Sequence, residues 1–256
     1  MPEPSPSRPP IGSLAIIAIV VAVGAGAFAY TAGWLSPTRL TPTKIVDSLA
    51  PPGGPSLGHR RNHAKGICFT GVFESNGNGA ELSSAQVFAP GKYPALGRFN
   101  LATADANAPD STVRVRGLGL QLSTPDGEIW RSAMIDPPFF SVSTPEGFYE
   151  LQLAAHSKDP NAMKAFVAGH PEFAPFAEWA KTAPWTASYA EESYNSLNSF
   201  IFVSGSGAEH AVRWSLLPQA QVVPITQEDL AKLGPNHLAQ EIAERVAKAP
   251  NVGQWW

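Results

Sequence analysis

A histidine flanked by cations is the first place in this chain where residue types and spacing suggest chemistry. The stretch Arg60-Arg61-Asn62-His63-Ala64-Lys65-Gly66 follows a proline- and glycine-rich run and leads straight into the apolar alternation ICFTGVF. An imidazole with an ordinary pKa of about 6.5 both accepts and donates a proton near neutral pH, which suits it to acid–base work. Arginines beside it carry planar, permanently charged forks that pair with carboxylates through two bonds. A lone histidine at a loop–strand junction is more often a surface or hydrogen-bonded residue, and isolated arginines are mostly solvated. The cluster therefore needs context before it means anything. His156, His170, His210 and His237 have neither i,i+4 nor alternate spacing, so these four predict no metal site. Cys68 is the only cysteine, which excludes an intramolecular disulfide. Inside an apolar strand its thiol is expected to serve as packing.

The whole chain narrows the classes. Its 256 residues carry a net charge of −3 with only 18 lysines and arginines, which gives no electrostatic footprint for nucleic acid. Charged residues make up 15%, against about 25% in ordinary soluble domains, and 22 glycines and 25 prolines indicate a loop-rich fold. Residues 12–35 contain no charge at all, enough to span roughly 30 Å of hydrocarbon as a helix. Arg8 precedes this run, and Tyr30 and Trp34 lie near its outer end, where aromatic rings favour the membrane interface. A membrane anchor fits the length better than a cleaved signal, whose apolar core is typically about 7–15 residues. Either reading exports the rest of the chain. The layout read from the sequence is a short tail (1–11), the anchor or signal (12–35), a linker (36–58) and a folded domain (59–256).

Strand signals come first within that domain: residues 66–74, then ALGRFNLA at 95–102, then STVRVRGLGLQLST. In the last, Val113 and Val115 alternate, and Leu118, Leu120 and Leu122 alternate one step out of phase, which predicts a β-bulge beside Gly117. Asp126-Gly127 supplies a turn before EIWRSAMI. Helices follow: Thr144-Pro145-Glu146 reads as an N-cap with proline in the first turn, Asp159-Pro160 repeats the pattern, and Pro171 opens a third. SFIFVS and AVRWSLL then form a hairpin with Val212, Trp214 and Leu216 on one face. Thr226 opens a short helix, and Leu238, Ile242 and Val246 recur at helical spacing over 236–249. Strands, then helices, then strands predict an α+β domain built on an antiparallel sheet or barrel.

Five of these segments, in this order, resemble the catalases, and within them the smaller exported catalase-related haem peroxidases. RRNHAKGICFTGVFES resembles the segment bearing the distal haem histidine, and GKYPALGRFNLAT the strand whose arginine meets a haem propionate. DSTVRVRGLGLQLST, DPPFFSVSTPEGF and SFIFVSGSGAEHAVRWSL resemble the next barrel strand, the stretch whose phenylalanine packs near the haem, and a later hairpin. The resemblance implies an antiparallel β-barrel of the catalase type with surrounding helices, preceded by the apolar N-terminal helix, and haem b at the barrel wall. It implies His63 as the distal acid–base residue, Arg60 and Arg98 as propionate partners, and Phe139 and Phe148 as an apolar wall. Peroxide is then the substrate and a small molecule or protein the electron donor. The expected location is the periplasmic side of the inner membrane.

The chain departs from the family in three ways. Met134 aligns with the distal asparagine and Asn100 with the serine behind the distal histidine, which implies weak dismutation and favours one-electron or organic-peroxide chemistry. No arginine is followed four residues later by tyrosine, the proximal-ligand pattern, and no tyrosine follows Tyr194. PNVGQWW stands where family members continue, so the domain is expected to lack its C-terminal part. Two alternatives stay open: a barrel that binds haem poorly and is inactive, and a haem protein that isomerises or dehydrates hydroperoxides.

Overall fold

A computed structural model describes residues 11–36, 39–51, 53–249 and 253–255. The chain divides into two compact units, one ending at Ile45 and one running from Val46. In the first, helix α1 (Ile11–Thr31) buries no residue, and its 18-residue apolar core has a mean hydropathy of 2.5, long and apolar enough to cross a membrane. It stops short of residue 35 because Gly33 takes a left-handed turn (φ 67°). Residues 1–10, with Arg8, and Pro37, Thr38 and Pro52 of the linker lie outside the described residues. Helix α2 (Pro42–Ser48), within the stretch read from the sequence as a linker, has proline at its first position.

The second unit begins with a four-strand antiparallel meander: β1 (Gly66–Ser75), β2 (Gly91–Leu101), β3 (Arg116–Ser123) and β4 (Ile129–Ile135). Three helices follow, α3 (Pro145–Ala155), α4 (Ala162–Gly169) and α5 (Ala174–Thr182), gathered on Val142, Phe166 and Phe173. Thr144 caps α3 as predicted, its hydroxyl accepting from the Gly147 N–H at 3.0 Å. Asp159-Pro160 does not start α4. Asp159 Oδ1 accepts from the Asn161 N–H in a tight turn, and the helix begins at Ala162.

The chain then returns through β5 (Trp185–Thr186), β6 (Tyr194–Asn195), β7 (Phe200–Val203), β8 (Glu209–Val212), β9 (Ser215–Pro218) and β10 (Pro224–Ile225), and ends in α6 (Gln227–Lys232), α7 (His237–Lys248) and β11 (Gly253–Trp255). Seven strands make one curled sheet in the order β1-β2-β3-β4-β6-β9-β11, while β7 and β8 pair as a separate hairpin. Part of PNVGQWW thus adds an edge strand, Gly253 opposite Pro218 and Trp255 opposite Leu216; residues 250–252 and 256 lie outside the described residues.

The predicted bulge is absent. The β2–β3 register runs without a slip from Leu101–Arg116 to Ala95–Leu122. The phase change arises because β3 starts only at Arg116, after a single helical turn at Asp110–Thr112, so Val113 and Val115 belong to the approach rather than the strand. Arg116, Leu118 and Leu122 then face inward and are buried. Arg116 is fully buried and is held by Glu192 at 2.8 Å and by the Thr186 hydroxyl and carbonyl, each at 2.7 Å. Inward faces of β2, β3 and β4 enclose a core of Phe99, Leu101, Leu118, Met134, Tyr189, Tyr194, Leu238 and Ile242.

One buried ion pair ties the last helix to the segment that enters β1. Lys65 Nζ lies 2.7 Å from Asp110 Oδ1 and also donates to the carbonyls of Ala108 and Pro235. Asp110 Oδ2 accepts from the Leu238 N–H at 2.8 Å, in the first turn of α7. Removing one partner leaves a buried charge unpaired. Asp110→Ala should cost about 3–5 kcal/mol of stability in denaturant unfolding, and Lys65→Met with Asp110→Leu together should cost less than either alone.

Candidate functional site

Among the described residues His63 is the one non-glycine residue in the left-handed region (φ 55°). An L-residue there pays roughly 1–2 kcal/mol, so its surroundings must hold it. They do so from several sides. The His63 N–H donates to Asn62 Oδ1 at 2.8 Å, and the Ala64 N–H to the Thr103 carbonyl at 2.8 Å. The Arg98 guanidinium donates to the carbonyls of His63 (2.9 Å) and Ala64 (3.2 Å). Arg98 is thus a clamp on the histidine's own backbone.

The ring is fixed by Asn100. Its Nδ2 donates to the Arg98 carbonyl at 3.2 Å, which turns Oδ1 toward His63 Nδ1 at 2.6 Å. A carboxamide oxygen only accepts, so Nδ1 carries the proton and Nε2 presents a lone pair. Burial, then the charges of Arg98 and Arg60, push the His63 pKa below its ordinary value, with the Asn100 hydrogen bond opposing them. The ring is neutral at pH 7, a base aimed by its neighbour.

Two glycines make room for this arrangement. Gly66, Asn100, Gly117 and Ile135 stand in one row across β1 to β4, on one face of the sheet. A Cβ on Gly117 would sit 2.5 Å from Asn100 Oδ1, and one on Gly66 would sit 2.2 Å from the Phe99 carbonyl and 2.8 Å from Arg98 Cζ. Sequence reasoning gave neither of them this part, although glycines alternating with leucines in RGLGL mark a face kept bare for a close neighbour.

The other sequence-selected residues fall in different places. Arg60 is exposed, close enough for its charge to weigh on both His63 and Arg98. Phe139 is half-buried. Phe148, on α3, packs on Phe140 (ring centroids 5.6 Å apart) and the helical cluster rather than on His63. Met134 points into the core, and Ile135 takes the place in the row beside Gly117. Cys68 is exposed, not packed, because Ile67 and Phe69 take the inward side of β1.

A haem group needs a distal acid–base residue, cations for its carboxylates and an axial ligand. His63 Nε2, with Arg60 and Arg98 close by, is an acceptor suited to the first two. Two tyrosines, Tyr189 and Tyr194, lie in the core. Tyr189 stacks on Phe99 with centroids 5.1 Å apart, and the Tyr194 hydroxyl donates to the Tyr189 carbonyl at 2.9 Å. Burial holds both phenols far above their ordinary pKa. Two cavities of about 40 and 170 Å³ are lined by residues other than His63.

The sequence model named Catalase matches residues 22–255. The chain belongs to the catalase family. Among curated catalase-family proteins, a catalase-related peroxidase of Synechococcus elongatus is 31% identical over 250 residues, covering 95% of this chain and 72% of that protein. One from Mycolicibacterium paratuberculosis is 29% identical, covering 82% and 68%. Solved catalase structures share the fold at lower identity. A bacterial catalase superposes with a TM-score of 0.67 at 18% identity, over 75% of this chain and 40% of that one. Catalase A of Saccharomyces cerevisiae gives 0.67 at 18%, over 75% and 42%. The chain thus spans under half the length of these large catalases.

In histidine-ring NMR, assigned with His63→Ala, His63 should titrate below pH 6.5, and Asn100→Asp should raise it by about 1–3 units. A depressed folded-state pKa means that the unfolded chain binds more protons. The stability it brings is therefore present above about pH 6.5 and lost as pH falls through the folded value. His63→Gly should be about 1 kcal/mol more stable than His63→Ala in denaturant unfolding, because glycine accepts the left-handed backbone.

Proposed function

We propose that this catalase-family chain is a haem peroxidase reducing hydrogen peroxide or organic hydroperoxides, with His63 as its acid–base residue. The observation that carries the proposal is the His63 ring with Nδ1 bound to Asn100 and Nε2 left as the acceptor. The names of the two catalase-related peroxidases agree with it. Haem b, when bound, supplies the electrons that enter the O–O bond. Arg60 and Arg98 are its carboxylate partners, Arg98 through the N–H groups not committed to the backbone, and Phe139 and Phe148 its apolar side.

His63 has one task, moving a proton. Nε2 takes it from the first oxygen of the hydroperoxide and returns it to the second, so the bond breaks heterolytically and the far oxygen leaves as water or an alcohol rather than a radical. Two electrons and two further protons, drawn from an external donor, complete the reduction. Only a neutral ring can begin the sequence, and the lowered pKa keeps it neutral at pH 7. The β4 positions nearest the row offer no amide donor: Met134 is turned to the core, and Ile135 is aliphatic. Peroxide is therefore held without that hydrogen bond, which favours peroxidation over dismutation. Export, with α1 as the membrane anchor on the periplasmic side, completes the proposal.

The test is reconstitution of the full-length chain with haemin. One-to-one binding is expected, with peroxidase turnover exceeding oxygen release from hydrogen peroxide. His63→Ala should keep the haem and lose about 10²–10⁴-fold in turnover, and activity of the native chain should fall as pH drops through the His63 value, which lies below the ordinary pKa of about 6.5. Absence of stoichiometric haem binding, or full activity in His63→Ala, overturns the reading.

A further inference from the structure

The curled sheet is not continuous along β4. Its only bridge to β6 is Ile135 opposite Asn195, and the hairpin of β7 and β8 forms its own sheet. Between the lower part of β4 and residues 196–200 lies a cavity of about 170 Å³, floored by Trp214 and Phe200, whose rings lie 5.0 Å apart. That volume is the size of one aromatic ring: an apolar cavity of about 150 Å³ admits benzene.

The polar groups of this cavity narrow its ligand. Ser132 Oγ accepts from Trp214 Nε1 at 2.9 Å, and Ser196 Oγ accepts from the Trp214 N–H at 3.2 Å. Both serines are buried, and both line the cavity. Each hydroxyl spends one lone pair on the tryptophan and keeps its O–H proton to donate. Arg131 also lines the cavity; it is exposed and gives Nε to Gln121 (2.8 Å), which leaves the outer N–H groups of its fork without a partner among the described residues. Two buried donors and one cation around an aromatic floor call for a flat ring that carries acceptor oxygens with negative charge.

We propose that this cavity binds a single-ring aromatic carboxylate or phenolate, its ring against Trp214 and Phe200 and its oxygens toward Ser132, Ser196 and Arg131. The site is distinct from the His63 cluster. Ala133, which also lines it, is the fourth member of the cross-strand row Cys68, Arg98, Gly119, Ala133, so two strand spacings, about 10 Å, separate it from Arg98, the member of that cluster in the row. The proposal needs no haem.

Ligand-observed NMR titration of the full-length chain with 4-hydroxybenzoate, and with neutral phenol for comparison, tests it. Saturable binding of 4-hydroxybenzoate is expected. Arg131→Gln, an exposed change that leaves the fold alone, should weaken it about tenfold or more while phenol is retained. Ser132→Ala should weaken both ligands. Lack of saturation in the native chain, or equal binding in native protein and Arg131→Gln, overturns the assignment. Failure here leaves the His63 proposal standing, and the converse holds because no haem is added.

Discussion

The hydrogen bond from His63 Nδ1 to Asn100 Oδ1 organises the rest of the site, and it exists only because several elements agree on it. Asn100 is turned the right way by its own bond to the Arg98 carbonyl. Arg98, two residues back on the same strand, reaches across to hold the carbonyls of His63 and Ala64. Gly66 and Gly117 stand on either side in the row and leave the space that any side chain would fill. The strained backbone of His63 is held by these contacts together and by none singly, which is how a left-handed non-glycine residue persists.

Further out, the same loop is anchored through charge. Lys65 follows His63 by two residues, and its buried pair with Asp110 joins it to the start of α7. Arg116 does similar work on the opposite side of the core, where Glu192 and Thr186 fix the segment carrying Tyr189 and Tyr194. Buried charges of this kind specify an arrangement more than they add to stability, since desolvation offsets much of their attraction.

Much of the fold was legible because local signals were strong. The charge-free run gave α1, Thr144-Pro145 gave the start of α3, and the alternation after Gly66 gave β1. Errors came where local pattern has two causes. A phase change among valines and leucines reads equally as a bulge or as a strand that starts late, and only the β2–β3 register separates them. An apolar stretch around Cys68 suggested packing, but an edge strand has two faces and Ile67 and Phe69 claim the inner one. Which of Met134 and Ile135 enters the core and which stands beside Gly117 was likewise open, because linear order does not say which side of a strand faces inward.

What the sequence determined by itself was chemical identity: an imidazole among guanidiniums, five ordered segments of the catalase family, an uncharged helix long enough to cross a membrane, and no tyrosine after Tyr194. Tertiary structure alone decided which atoms of those groups are usable. It assigned the proton of His63 to Nδ1 by placing Asn100 Oδ1 against it, committed two N–H groups of Arg98 to the backbone, and opened a ring-sized cavity where β4 parts from the hairpin. Proton position and hydrogen-bond commitment depend on partners 35 to 80 residues away along the chain, and no local pattern carries that information.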